Sequence, residues 1–157
     1  MLEQIRARLI VILDTLTPVS GTYLTLAENV PTNRQDYEQW VLWVRMPNES
    51  ALPAPSQDKD ARVSNWVIEI TSPQISTGWP AQREVQQLQY AVALRRLLRN
   101  HKRLEDPTTR QALSAIQKVT LGTITTRAPR AYPDGTAQQY YSVTWALAIE
   151  YTETIPC

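Results

Sequence analysis

Histidine, the residue most suited to acid–base chemistry at neutral pH, occurs once in the 157 residues, as His101. A zinc site or a serine-type triad built on it would need further ligands or a nucleophile motif. The only cysteine is Cys157, and His101 stands among Arg99, Lys102 and Arg103, which oppose its protonation. We therefore interpret His101 as a polar residue at a helix edge, and we expect no enzyme.

Two other patterns that could hold a substrate or a metal are incomplete. The four glycines, at positions 21, 78, 122 and 135, are too scattered for a phosphate-cradling loop. Glu69 on a strand and Asp134 in a turn could be parts of a nuclease-type acidic site, but no lysine follows Glu69 at the required place. We interpret them as an edge carboxylate and a turn residue, and we expect no metal and no cofactor.

The densest charge lies in residues 95–103, Arg-Arg-Leu-Leu-Arg-Asn-His-Lys-Arg, with five positive charges in nine residues. The whole chain carries a formal net charge of only +1. Such a cluster could bind the phosphates of a nucleic acid, with an affinity that falls steeply as salt is added. Since no aromatic or glycine-rich recognition motif accompanies it, a small nucleic-acid-binding module is the second interpretation rather than the first.

This basic cluster belongs to the longest predicted helix, residues 81–104, which Pro80 opens and Asp106-Pro107 closes. At about 100° per residue the five basic side chains share an arc of about 120°, opposite an arc of leucines and Tyr90. The same arc is apolar in the first half of the helix. If the leucine side packs on a sheet, that apolar part is either covered by a loop of the chain or exposed for a partner.

We predict that this arc is a contact between subunits, where the basic residues meet acidic groups of a neighbour. Residues 1–78 carry a net charge of −3 and residues 79–157 a net charge of +4, which favours an association of unlike halves. The candidate interface residues are Val85, Leu88, Val92, Arg95, Arg96, Arg99, Lys102 and Arg103.

The remaining patterns predict the elements that position this helix. Residues 141–151 alternate between large apolar and small or polar side chains, which is typical of a strand with one buried face. The full predicted order is a helix at 1–16, a short strand at 23–26, strands at 40–46 and 65–71, the long helix, a short helix at 109–118, and strands at 119–127 and 140–153. We expect a single α+β domain over 1–157: a mainly antiparallel sheet of four strands, or slightly more, with helices on one face.

Residues 47–64 contain three prolines and the mixed charged stretch 58–62, and we expect them to form an extended loop rather than a strand. Loops of this length are usually functional. The sequence therefore predicts an arm that engages a partner, with Asp58, Lys59, Asp60 and Arg62 as its candidate contact residues.

Composition places the chain among ordinary globular proteins, with 43% apolar and 20% charged residues. The apolar run at Leu9–Leu13 is too short to span a bilayer, and no cleavage pattern of a secretory signal follows it. We expect a protein that folds in the cytoplasm and has no membrane partner.

The element order, the long arm and the final alternating strand at 140–151 resemble the tail terminator, or tail completion, proteins of long-tailed bacteriophages. The resemblance covers most of the chain and is one of length, order and pattern, without a shared motif. It implies a homohexameric ring in the virion that caps the tail tube, ends its polymerisation and joins the tail to the neck or head. Its partners would be tail tube and neck proteins, and it would assemble in the host cytoplasm.

Other phage neck or head-completion connectors resemble the chain less well and stay as an alternative. The resemblance leaves open whether phage DNA passes near the basic cluster. It implies no catalytic residues.

Overall fold

A computed structural model describes residues 1–19, 22–27, 39–73, 80–131 and 139–155. These residues form two helices and six strands: α1 Leu2–Leu13, β1 Tyr23–Leu26, β2 Gln39–Val44, β3 Asn48–Leu52, β4 Lys59–Pro73, α2 Pro80–Asn100, β5 Ile116–Ala131 and β6 Gln139–Thr154. The predicted α+β class is confirmed, although the sheet has six strands rather than about four.

The sheet has the strand order β1-β2-β4-β6-β5, and β3 pairs with β4 along the same edge as β2. Only the β1–β2 pair is parallel, and the other described pairs are antiparallel. The longest ladder joins β4 to β6, from Lys59 opposite Thr154 to Pro73 opposite Tyr140. Strand β4 is therefore central, with β6 on one side and both β2 and β3 on the other.

Both helices pack on one face of this sheet. The alternating residues of β6 supply a continuous apolar row from Tyr141 to Tyr151, as the period of two predicts. The even-numbered residues of β4, such as Trp66 and Ile68, lie beside that row and are buried with it. The helices add a second layer of fully or nearly fully buried side chains: Ile5, Leu9, Ile12, Leu13, Tyr90, Leu94 and Leu98.

The prediction that residues 47–64 form a loop is wrong. Strand β3 lies within them and pairs with the first half of β4, from Asn48 opposite Asn65 to Leu52 opposite Ala61. Its prolines fall outside the ladder, at Pro47 before β3 and at Pro53 and Pro55 in the connection to β4. Because proline cannot donate to a ladder but is tolerated in turns, the region forms a hairpin rather than a loop.

The predicted short helix at residues 109–118 is also absent. These residues form turns and irregular segments until Ile116, where β5 begins, three residues before the predicted start. The Asp106 carboxylate accepts hydrogen bonds from the backbone N–H groups of Thr108 and Thr109 at 2.8 and 2.9 Å, and Arg110 has a φ of 61°. The side chain of Asp106 thus stabilises a turn in place of a helix.

Strand β5 also runs farther than predicted, to Ala131, and so includes Pro129. Its register with β6 shifts between Arg127 and Arg130, so the proline sits at an irregularity of the ladder, where its missing N–H is tolerated. The predicted turn at 132–135, including Asp134, lies outside the described residues, as does Cys157.

Candidate functional site

The inner side of α2 fixes the orientation of this helix on the sheet. Tyr90 and Leu94 are fully buried, and the rings of Tyr90 and Trp40 lie with their centroids 5.1 Å apart. Near the start of the helix, buried Gln86 accepts a hydrogen bond from the indole N–H of Trp40 at 3.1 Å, and Gln87 donates to the backbone oxygen of Ser142 at 2.6 Å. Because buried polar groups need hydrogen-bond partners, these contacts allow both glutamines to be buried beside the apolar side chains of the helix.

The opposite side of α2 is apolar in its first half and exposed. The exposed fractions of the solvent-accessible surface are 54% for Val85, 57% for Leu88 and 49% for Val92. They are one turn apart and lie on one stripe. The stripe therefore faces outward and is about half exposed in the part of the chain that the structure describes.

The second half of the same side is basic. Arg95, Arg96 and Arg99 lie on the helix and are exposed. Helix α2 ends at Asn100, four residues before the predicted end, so Lys102 and Arg103 occupy the following turn and are exposed as well. In the part of the chain that the structure describes, none of these five basic side chains forms an ion pair.

We call the six residues on the helix itself the outer face of α2: Val85, Leu88, Val92, Arg95, Arg96 and Arg99. From Val85 to Arg99 it extends about 21 Å along the helix axis, at 1.5 Å per residue. Its apolar part can contribute to binding through the hydrophobic effect, whereas the cations can select an acidic partner. The arrangement is therefore suited to binding another macromolecule.

The segment after α2 holds the basic turn in place. Leu104 is buried and has a φ of 54°, which reverses the chain direction at the end of the helix. The guanidinium of Arg8, on α1, donates to the backbone oxygens of Leu104 and Gln111 at 2.8 and 2.6 Å. These two hydrogen bonds therefore attach α1 to the connection between α2 and β5.

His101 lies in this segment and is buried. Its Nδ1 is 2.9 Å from the backbone oxygen of Glu105. Because a carbonyl can only accept, Nδ1 carries the proton of this hydrogen bond. The predicted role of a polar residue at the helix end fits this geometry.

The hairpin of β3 and β4 carries the residues predicted for the arm. Arg62 donates to Asp60 at 2.7 Å and to Glu49 at 2.9 Å, and the hydroxyl of Tyr151 donates to the other oxygen of Glu49. Asp60 and Arg62 are therefore engaged within the chain. Of the predicted arm residues, Asp58 and Lys59 are the exposed ones.

Asp58 itself is held by its neighbours. The hydroxyl of Ser56 donates to its carboxylate, and this hydrogen bond is the main cause that lowers the pKa of Asp58 below its ordinary value. Asp58 is consequently ionised at neutral pH.

An ion pair between a buried carboxylate and a half-exposed arginine lies on the sheet face away from the helices, where the sequence did not predict one. The carboxylate of Glu69 is fully buried in central strand β4, so its interpretation as an edge carboxylate is wrong. Arg45 donates to it through Nε at 2.7 Å, and Trp43 lies directly opposite on β2. The signal was the alternation itself, which places Trp43, Arg45 and Glu69 on the same face.

Among the residues that the structure describes, three buried polar atoms of this face have no hydrogen-bond partner: Glu69 Oε1, Trp43 Nε1 and Ser142 Oγ. A fully buried carboxylate with one oxygen unpaired is costly, and Arg45 offsets part of that cost. The net contribution of the pair to stability is therefore smaller than the cost of removing Arg45 alone.

Within the described ranges, no three histidine, cysteine, aspartate or glutamate side chains are close enough to hold a metal ion. Neither α1 nor α2 is long and apolar enough to cross a membrane. In comparisons with known proteins, no family model and no curated protein matches the sequence.

Proposed function

We propose that the chain is a structural protein of a long-tailed bacteriophage, which forms a ring on the tail tube, ends its polymerisation and joins the tail to the neck or head. The observation that carries the proposal is the outer face of α2, an exposed stripe whose apolar half continues into a basic half that has no acidic partner among the described residues. The chain acts by binding its own copies and its tail and neck partners, without catalysis.

The character of the outer face favours a protein partner. Exposed apolar groups bordered by charge are typical of protein contacts, and Val85, Leu88 and Val92 are each about half exposed. Helix α2 presents them without any rearrangement, because its inner side is anchored to the sheet through Tyr90 and Leu94. A rigid surface of this kind loses little conformational entropy on binding.

A second copy of the chain is the partner that the charge distribution supports. The basic half of the outer face lies in the half of the chain with a net charge of +4, whereas residues 1–78 have a net charge of −3. Contacts between two different surfaces of identical chains close into a ring when the rotation between them allows it. A hexamer is the ring that the resemblance to tail terminators implies.

Replacing Leu88 tests this proposal. Leu88→Asp places a charge in the apolar half of the outer face, and we expect it to dissociate the assembly while the circular dichroism spectrum and melting curve of the chain stay unchanged. Val92→Asp should act in the same way. A matched control is Val11→Asp, because Val11 is another helical valine, exposed to 45% against 49% for Val92. An assembly that survives Leu88→Asp and Val92→Asp would refute a subunit contact on this face.

A second candidate function is nucleic-acid binding by the basic half. The five exposed cations without an acidic partner in the described part of the chain favour it. Fluorescence anisotropy with a labelled DNA duplex distinguishes the two functions. If the basic half binds nucleic acid, the logarithm of the association constant should fall with the logarithm of the salt concentration, with a slope of about −0.9 per phosphate contacted. The Arg95→Ala/Arg99→Ala variant contacts fewer phosphates, so its slope should be flatter. The structural proposal expects no specific binding at physiological salt.

A further inference from the structure

The connection between β3 and β4 is a second exposed surface of mixed character. We call residues 53–58, Pro-Ala-Pro-Ser-Gln-Asp, the hairpin tip, and all six are exposed. The tip begins with three apolar residues and ends with the ionised carboxylate of Asp58. Within a few residues it therefore changes from apolar to acidic.

Hydrogen bonds hold the hairpin tip in one shape. The N–H of Lys59 donates to the backbone oxygen of Ser56 at 3.3 Å, and the N–H of Ile155, after β6, donates to that of Asp58 at 2.9 Å. Pro53 and Pro55 restrict the backbone further. Because the tip is already ordered, its docking costs little conformational entropy.

We propose that the hairpin tip of one copy docks on the outer face of α2 of the next copy. Pro53, Ala54 and Pro55 would pack on the stripe of Val85, Leu88 and Val92, and Asp58 would lie against the arginines. This contact rests on the proposed ring and specifies its interface.

The lengths over which the two surfaces change character are compatible. The outer face of α2 changes from apolar to basic between Val92 and Arg95, which are separated by about 4.5 Å along the axis. Pro55 and Asp58 are three residues apart, so the tip changes character within at most about 11 Å. The spacing thus allows a single docking position in which the apolar parts meet and Asp58 lies against the arginines.

Asp58 is the carboxylate of the hairpin that is available for this contact. Glu49 and Asp60 are already paired with Arg62. Lys59, the neighbouring cation, is exposed and borders an open groove of about 540 Å³ that Pro53 and Pro55 also line.

The contact has to join two copies. The outer face of α2 points away from the sheet, because Tyr90, Leu94 and Leu98 on its inner side are buried against it. The hairpin belongs to that sheet and is held in line by the ladder from Lys59 opposite Thr154 onwards. A tip fixed in the sheet cannot reach the far side of its own helix, so the contact is between different surfaces of two chains.

Cysteine crosslinking tests the contact in the full chain, in a Cys157→Ser background. Chains carrying Ala54→Cys are mixed with chains carrying Leu88→Cys, and the oxidised mixture is separated on a non-reducing gel. We expect a covalent dimer from this pair and none from the matched pair of Ala54→Cys with Val11→Cys, since Val11 is similarly exposed on the other helix.

Charge reversal supplies an independent test by sedimentation. Asp58→Lys should weaken assembly about tenfold, and Asp14→Lys, a reversal at another exposed aspartate, should leave it unchanged. Arg95→Asp/Arg99→Asp should also weaken assembly. Mixing the Asp58→Lys chain with the Arg95→Asp/Arg99→Asp chain should restore it, because in a ring of alternating variants every tip faces the opposite charge.

The outcomes separate this contact from the ring itself. A wild-type chain that stays monomeric overturns both. A wild-type assembly that Leu88→Asp dissociates, but that shows no Ala54–Leu88 crosslink above the Val11 control and no loss with Asp58→Lys, overturns the docked hairpin and leaves the ring.

Discussion

Substitutions at two leucines of α2, six residues apart, should affect the stability of the fold and the stability of the assembly separately. Leu94 is fully buried, whereas Leu88 is 57% exposed. Leu94→Ala should lower the free energy of unfolding by about 2–5 kcal/mol, which is the usual cost of a cavity at a buried leucine. Leu88→Ala should change it by at most about 0.5 kcal/mol, because it removes few contacts within the chain.

Assembly should respond to Leu88 through its exposed area. Full burial of a leucine contributes about 1.5–3 kcal/mol, so burial of the exposed 57% contributes about 1–1.5 kcal/mol. Leu88→Ala should therefore raise the dissociation constant between subunits about five- to tenfold. Urea unfolding at low protein concentration measures the first quantity, and sedimentation velocity over a concentration series measures the second. If Leu88→Ala lowers the free energy of unfolding of the isolated chain by more than about 1.5 kcal/mol, Leu88 belongs to the core and its assignment to the assembly contact is wrong.

Two further predictions concern the sheet. Arg45→Ala leaves the buried carboxylate of Glu69 without its half-exposed partner, so it should cost about 1.5–3 kcal/mol in urea unfolding, and adding Glu69→Gln should recover part of that loss. Equal stability of wild type and Arg45→Ala would show that the carboxylate is not buried in solution. Burial, and then the hydrogen bond to Glu49, raise the pKa of Tyr151, so its neutral form is favoured in the fold. The stabilisation of the fold by neutral Tyr151 is therefore complete below about pH 10, the ordinary pKa of tyrosine, and is lost as the pH rises above that value. Melting curves between pH 8 and 11 should show this alkaline loss in wild type and less of it in Tyr151→Phe, and identical profiles would contradict the assignment.

The parts of the fold with a clear period were predictable from sequence. Strand β6 alternates over its whole buried face, and α2 places Tyr90 and Leu94 on one arc, so both elements and their buried sides follow from local pattern. The exposed stripe of Val85, Leu88 and Val92 follows from the same arc. The candidate site could be located from the sequence because it lies on the side of α2 opposite the buried arc of Tyr90 and Leu94.

The hairpin was not predictable because β3 has no strand signal of its own. Its sequence, Asn-Glu-Ser-Ala-Leu, lacks the β-branched and aromatic residues that favour strands, and prolines flank it on both sides. Pairing with β4, a tertiary interaction, makes it a strand. The prediction of a helix at 109–118 failed for the opposite reason. Leu113 and Ile116 have helical spacing, but the Asp106 turn and the start of β5 determine their conformation.

Glu69 shows how neighbouring strands determine a residue's role. A carboxylate in a strand is usually at an edge or exposed, and the sequence alone does not say that β4 lies between β2 and β6. Only the order of strands brings Arg45 and Trp43 beside it. Its burial therefore depends on topology, which local sequence does not encode.

The mass of the purified wild-type chain in solution tests the central claim most directly. Sedimentation velocity at tens of micromolar should show a discrete species of several copies of the 17.9 kDa chain, six for the proposed ring, and negative-stain micrographs of it should show rings. A single species of 17.9 kDa over the whole concentration range would contradict the claim that the outer face of α2 joins subunits.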